Sequence, residues 1–425
     1  MKANIKLDHN LVAVEGEHVV HAMFELDVPA PKKAKKRPPL HLALVIDRSG
    51  SMGGPKLEHT KAAADYLMRR LDPTDQVAIV TYDDEVDLVS SLAPVDKDEL
   101  RHRIYGIYPG GMTNLSGGWL KGVEEVGRAP DGTARKVLLL TDGLANSGIT
   151  DSDTLTGMAT KIAGDGVGTT TIGYGDGFNE ELLTALADAG AGKSYFAASP
   201  EDAPGIFAKE FEDLASLVAQ NVSIEIRATE DVKLLGILNE YPTTGVVGGV
   251  QVNLGDAYTE ENRRVVFELH IPEMAKLGVK KVAEVVLRYV TVGDQVATHE
   301  LTLPIVVNAV SADEANAAVP NPDVIEEVVI LKAARAQKEA RNRADHGEYD
   351  EAQKLLRNSA QNLRSIAANS KRAEELLSEA EILESHSNMA APGSYDAMSS
   401  KAMHYDQHRK QRARRRPSQE PKDES

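Results

Sequence analysis

LHLALVIDRSGSM, residues 40–52, decides how this chain is read. Leu40, Leu42, Ala43, Leu44, Val45 and Ile46 form an almost unbroken apolar run that stops at Asp47. A strand with one face in water alternates, whereas a strand covered on both faces, as in a parallel sheet under helices, does not. The same texture returns in VAIVTY (77–82), VLLLTD (137–142) and TTTIGY (169–174). Helix-like stretches lie around them at 56–71, 114–127, 152–164, 178–190 and 200–220. Strand alternating with helix predicts an α/β unit over 38–217, a parallel sheet with helices on both faces.

Outside that unit the pattern changes. In residues 18–28, Val20, Ala22, Phe24, Leu26 and Val28 recur at every second position, the period of a half-buried strand. PAPKKAKKRPP (29–39) sets four prolines around a basic run and reads as an exposed connector. VSIEIRA (222–228), VVFELHI (265–271), VAEVVLRYV (282–290) and HELTLPIVV (299–307) are short strands between turn residues. They predict an antiparallel β-sandwich over 218–311, which the strands of residues 1–37 would complete, making the α/β unit an insertion. Residues 322–388 carry apolar side chains at spacings of three, four and seven and predict an α-helical hairpin or bundle. Residues 389–425 are Ser, Ala, Pro and charge and read as a disordered basic tail.

The 425 residues are 42% hydrophobic and 27% charged, an ordinary globular balance. With no cysteine, a disulfide framework, a zinc–thiolate centre and a thiol nucleophile are excluded. Every window of about 18 residues contains a charge, so no bilayer-spanning helix is expected, and the simplest location is the cytoplasm. Forty-eight Lys and Arg against 65 Asp and Glu leave −17, a charge that repels phosphate and argues against nucleic acid as a partner. Residues 401–416 go the other way, with seven basic groups to one acid, but no aromatics interleave the arginines as a nucleic-acid platform would need.

The chemistry gathers where the apolar strands end. The first closes in Asp47-Arg48-Ser49-Gly50-Ser51, and VLLLTD closes in Asp142. Thr113 sits in the Gly-rich loop GIYPGGMTNLSGG (106–118), ahead of a helix. Carboxylates and hydroxyls without His or Cys suit a hard ion, Mg²⁺, Mn²⁺ or Ca²⁺. In a doubly wound sheet of order 3-2-1-4-5-6, with VLLLTD as the fourth strand, the first and fourth strands flank the switch point, where ligands bind outside the carboxyl ends. Such an ion would keep an open position that an Asp or Glu of a partner protein could fill. Asp83, Asp84, Glu85 and Asp87 form a nearby acidic cluster that reads as a surface hairpin loop, with a second cation site as the alternative.

Together DxSGS at 47–51, Thr113 and Asp142 resemble the metal-ion-dependent adhesion site of the von Willebrand factor A (VWA) domain. The layout is similar to bacterial intracellular members of that family. The resemblance implies a Rossmann-like domain with Mg²⁺ at its top, bound directly by Ser49, Ser51 and Thr113. Asp47 and Asp142 would act directly or through water. It also implies a non-enzymatic adaptor that captures an acidic residue of a protein partner. Two rival readings are a metal-dependent phosphohydrolase using Asp47, and a structural protein whose ion only stabilises it. The first lacks a second carboxylate two residues after Asp47, where Ser49 stands.

Overall fold

The computed structural model describes residues 1–30, 37, 39–130, 133–292, 296–412 and 414–415. Most of the basic connector, 31–36 and 38, and the tail residues 413 and 416–425 lie outside the described residues. The α/β unit is built on one sheet. Strand β4 (Leu40–Asp47) lies between parallel β5 (Gln76–Tyr82) and β7 (Ala134–Thr141). The sheet continues through β8 (Val167–Tyr174) to β9 (Ser194–Ala197) on one side and ends at β6 (Val86–Pro94) on the other. Counted within the unit, the order β6-β5-β4-β7-β8-β9 is 3-2-1-4-5-6. One strand departs from the all-parallel expectation: β6 runs antiparallel to β5, because the Asp83–Glu85 turn closes a hairpin.

The unbroken apolar run of β4 has a simple cause. Leu40, Leu42, Leu44 and Ile46 enter one core with helices α1 (Pro55–Arg70), α2 (Lys97–Tyr105) and α6 (Ala203–Ala215). Ala43 and Val45 enter a second core with α3 (Leu115–Val126), α4 (Ser152–Gly164) and α5 (Glu180–Ala189). Helix α3 comes so near the sheet that a Cβ on Gly122 would stand 2.4 Å from a Val45 methyl. Helix α2 was not expected from the pattern: only Leu100 and Ile104 are buried, and its start rests on Asp96 capping the Glu99 amide. The stretch read as helix over 200–220 stops at Ala215, since β10 (Leu217–Ala228) begins two residues later.

Two further sheets share a core. The first runs β1 (Lys2–Leu7), β3 (His18–Val28), β14 (Glu261–Ile271), β11 (Lys233–Ile237). The second runs β12 (Thr243–Val246), β13 (Gly249–Tyr258), β10, β15 (Gly278–Thr291), β16 (Thr298–Val310), β2 (Leu11–Ala13). The alternating residues Val20 to Val28 of β3 pack into this core with Ile224, Ile226, Val285 and Leu287. On the opposite face of β3, Met23 meets Val324, Val328 and Leu331 of helix α8 (Pro322–Asp345).

Helix α7 (Ala312–Asn316) leads to α8, which packs with α9 (Tyr349–Ala367) and α10 (Ala373–Met389). The expectation of a disordered tail from 389 is corrected by α11 (Ala397–Gln411), followed by a two-residue strand β17 (Arg414–Arg415) paired to β14. Helix α11 carries no apolar stripe. Polar pairs bury it instead: Lys401 with Glu180 at 2.5 Å, His408 with Asp188 at 2.9 Å and Lys410 with Glu379 at 2.7 Å. The Tyr405 ring stacks on Phe196 at 5.4 Å. Among the described residues, no helix is long and apolar enough to cross a membrane.

Candidate metal centre

Asp47 is the last residue of β4, and the chain turns at once through a 3-10 turn (Gly50–Met52) into α1. Two backbone hydrogen bonds lay the Gly-rich loop on this turn: the Gly110 amide donates to the Arg48 carbonyl at 2.6 Å, and the Gly50 amide to the Gly111 carbonyl at 3.0 Å. That carries Thr113 to the same end of the sheet. Asn146, from the loop after β7, accepts from the Thr113 amide at 2.9 Å and donates its own amide to the Thr113 carbonyl at 3.2 Å. Three loops distant in sequence are thereby tied together beside the switch point between β4 and β7.

The five side chains expected from the sequence meet there. Ser51 donates to Asp142 Oδ1 at 2.7 Å, and the Ser49 and Ser51 hydroxyls are 3.2 Å apart. A Cβ placed on Gly143 would stand 3.4 Å from Thr113 Oγ1 and 3.6 Å from Ser51 Oγ, so these hydroxyls bracket that glycine. Asp47 lies deepest, accepting from the Ser49 amide at 2.8 Å and from the Thr141 hydroxyl at 2.6 Å. Burial pushes its carboxyl up to about 6; the Ser49 and Thr141 hydrogen bonds pull it back in part, and the charge of Asp142 adds to the rise. Asp47, Ser49, Thr113 and Asp142 are buried, whereas Ser51 opens to solvent.

Three contributors had no clear signal in the sequence. Thr141 ends an apolar run, so its polarity reads as a strand terminus; only the parallel pairing of β4 with β7 turns its hydroxyl toward Asp47. Asn146 sits in a loop of small and polar residues with no periodic pattern to single it out. Lys56, in the first turn of α1, places its ammonium on Asp142 Oδ2. That ion pair is itself a test of fit, because the carboxylate already attracts a cation. Two carboxylates and three hydroxyls, without nitrogen or sulfur, match a hard divalent ion. Among the described residues no group of three or more His, Asp or Glu side chains is placed to hold a metal ion, so the hydroxyls must supply the rest of any ligand set here.

The acidic cluster is structural. Arg48 pairs with Asp83 at 3.1 Å and Asp87 at 2.8 Å. Asp83 also accepts from the Gly111 amide at 3.3 Å, and Asp84 from the Met112 amide at 3.3 Å, so both fasten the Thr113 loop. In the loops that carry Thr113 and Asp142, the large apolar side chains Tyr108, Met112 and Leu144 are exposed at 73%, 56% and 57%. Trp119, by contrast, is fully buried and donates to Thr169 Oγ1 at 3.1 Å, holding α3 on the sheet.

Comparison with known proteins places this unit. A family model described as the von Willebrand factor type A domain matches residues 41–209. An uncharacterized protein of Synechocystis is 25% identical over 60% of this chain and 62% of its own length, so the chain spans under two thirds of that relative. A von Willebrand factor type A structure from Catenulispora acidiphila superposes with a TM-score of 0.74 at 15% identity, over 95% of this chain and 96% of the other. The ArnB paralog VWA2 from Sulfolobus acidocaldarius gives 0.62 at 19%, over 95% and 97%. Both likenesses are of fold and extend beyond the α/β unit. Residues 41–209 of this chain are a von Willebrand factor type A domain.

Proposed function

We propose that the chain is a non-enzymatic adaptor that captures an acidic side chain of a partner protein through a divalent ion, Mg²⁺ with Mn²⁺ or Ca²⁺ as alternatives. The observation that carries this reading is the meeting of Asp47, Ser49, Ser51, Thr113 and Asp142 at one partly open point. When bound, the ion supplies an electrophilic position for an outside carboxylate. The three hydroxyls would hold it without neutralising it, and the two aspartates would hold it directly or through water. Thr141 keeps the Asp47 carboxylate turned, and Asn146 keeps the Thr113 loop in place. Exposed Tyr108, Met112 and Leu144 would exclude water around the contact, as an apolar ring does at binding hot spots. VWA domains typically bind proteins, which agrees with this use of the site. Arg48 is engaged by Asp83 and Asp87, which weighs against its serving as the phosphate clamp of a phosphohydrolase.

The experiment is affinity capture with the tagged full chain. Partners retained in Mg²⁺ should be released by EDTA and absent with Thr113→Ala. A partner set unchanged by both treatments would contradict the metal bridge.

A further inference from the structure

Lys56 is the charged group of this centre that the adhesion reading leaves without a role. Its ammonium rests on Oδ2 of Asp142, whose other oxygen accepts from Ser51. The Asp142 side chain is fully buried and that of Lys56 is about one third exposed. Lys56 passes below the turn after β8, where a Cβ on Gly175 would lie 3.9 Å from Cε and Nζ; Gly175 has φ +66° and leaves that space open. The neighbouring cations are committed elsewhere: Arg48 to Asp83 and Asp87, and Lys61 to Glu58 at 2.9 Å. Lys56 is therefore the cation that shares a carboxylate with the five oxygen-bearing side chains.

The charge balance turns on it. Asp47 and Asp142 with Lys56 leave one negative charge, so a divalent ion makes the loaded centre +1, and one carboxylate from outside restores neutrality. Without Lys56 the loaded centre is already neutral, and an incoming acid meets the ion's open position without the added pull of a net positive charge. We infer that Lys56 sets the balance between holding the ion and capturing the acid: it weakens the first by competing for Asp142 and strengthens the second. This rests on the metal reading of the site. The Coulomb terms involved act over a few ångströms at a half-buried position, which corresponds to roughly tenfold on each equilibrium.

The test uses the full chain, with Mn²⁺ as ion and acetate as acid. Free Mn²⁺ is read by electron paramagnetic resonance, and acetate is titrated into the Mn²⁺-loaded protein and followed by water-proton relaxation. Lys56→Met should bind Mn²⁺ about tenfold more tightly and acetate about tenfold more weakly than wild type. Lys56→Arg, which keeps the charge, should return both values toward wild type, and unchanged thermal midpoints would show that both variants fold. Weaker or unaltered Mn²⁺ binding in Lys56→Met, or both affinities moving in the same direction, would overturn the inference. Failure of the metal reading looks different: wild type and Thr113→Ala would then both leave all Mn²⁺ free.

Discussion

Thr141 shows how much of the centre depends on single hydroxyls. Its Oγ1 gives Asp47 one of two short hydrogen bonds in a position without water access. Thr141→Val keeps the shape and removes the donor, and should cost about 1–3 kcal/mol, read by urea denaturation, because the buried Asp47 oxygen is left unpaired. Gly122→Val tests packing at the same scale. The added side chain meets Val45 and has nowhere to go, so about 1–3 kcal/mol should be lost without any change in the site's own residues. Asp47, Ser49, Ser51, Thr113 and Asp142 were legible as neighbours because each follows an apolar strand or sits in a glycine-rich loop, and strand order brings those ends together. Lys56 was not legible: one lysine at the start of an amphipathic helix looks like any solvated charge until Asp142 is seen opposite it.

At the scale of elements, helices α10 and α11 each carry an inward-facing histidine, His386 buried and His404 half-buried. Burial, with the charge of Arg341 in addition, brings His404 down to about 3, and burial brings His386 down to about 4. Both are neutral in the fold at pH 7. Below their unfolded value near 6.5 the unfolded chain takes up protons that the fold refuses at these two rings, so their contribution to stability falls as pH drops from about 6.5 toward 4. Asp47, raised to about 6, works the other way over the same window, so the test is a difference: between pH 6.5 and 4 the thermal midpoint of the double variant His386→Gln, His404→Gln should fall less, or rise more, than that of wild type. Helix α11 explains why sequence patterning failed after residue 389. Patterning detects apolar stripes, and this helix is buried by pairing Lys401, His408 and Lys410 with acids from distant elements. The strands of the central sheet were readable for the opposite reason, since β4 and the Val137–Leu140 stretch of β7 are buried and their apolar runs state it directly.

Across the whole molecule, the VWA domain lies between β3 and β10 in the chain and is fastened to the sheet pair by a buried charge pair. Lys136 of β7 reaches Asp256 of β13 at 2.5 Å, its stem passing over Gly168, where any side chain would collide with it. Asp256→Asn strands the ammonium in the interior and should destabilise the protein by about 3–5 kcal/mol, while Lys136→Met with Asp256→Leu should recover most of that loss in a denaturation series. Neither half of this pair was marked in the sequence, because a lysine in a strand reads as an exposed position until another part of the chain is shown to cover it. At the same scale, the centre's purpose depends on its taking up an ion at all. Calorimetric titration of Mg²⁺ into the full chain measures that most directly. Uptake of one ion per wild-type chain, abolished by Asp142→Ala in a variant that still folds, is the predicted result. No heat of binding at millimolar Mg²⁺, or equal uptake by the variant, would contradict it.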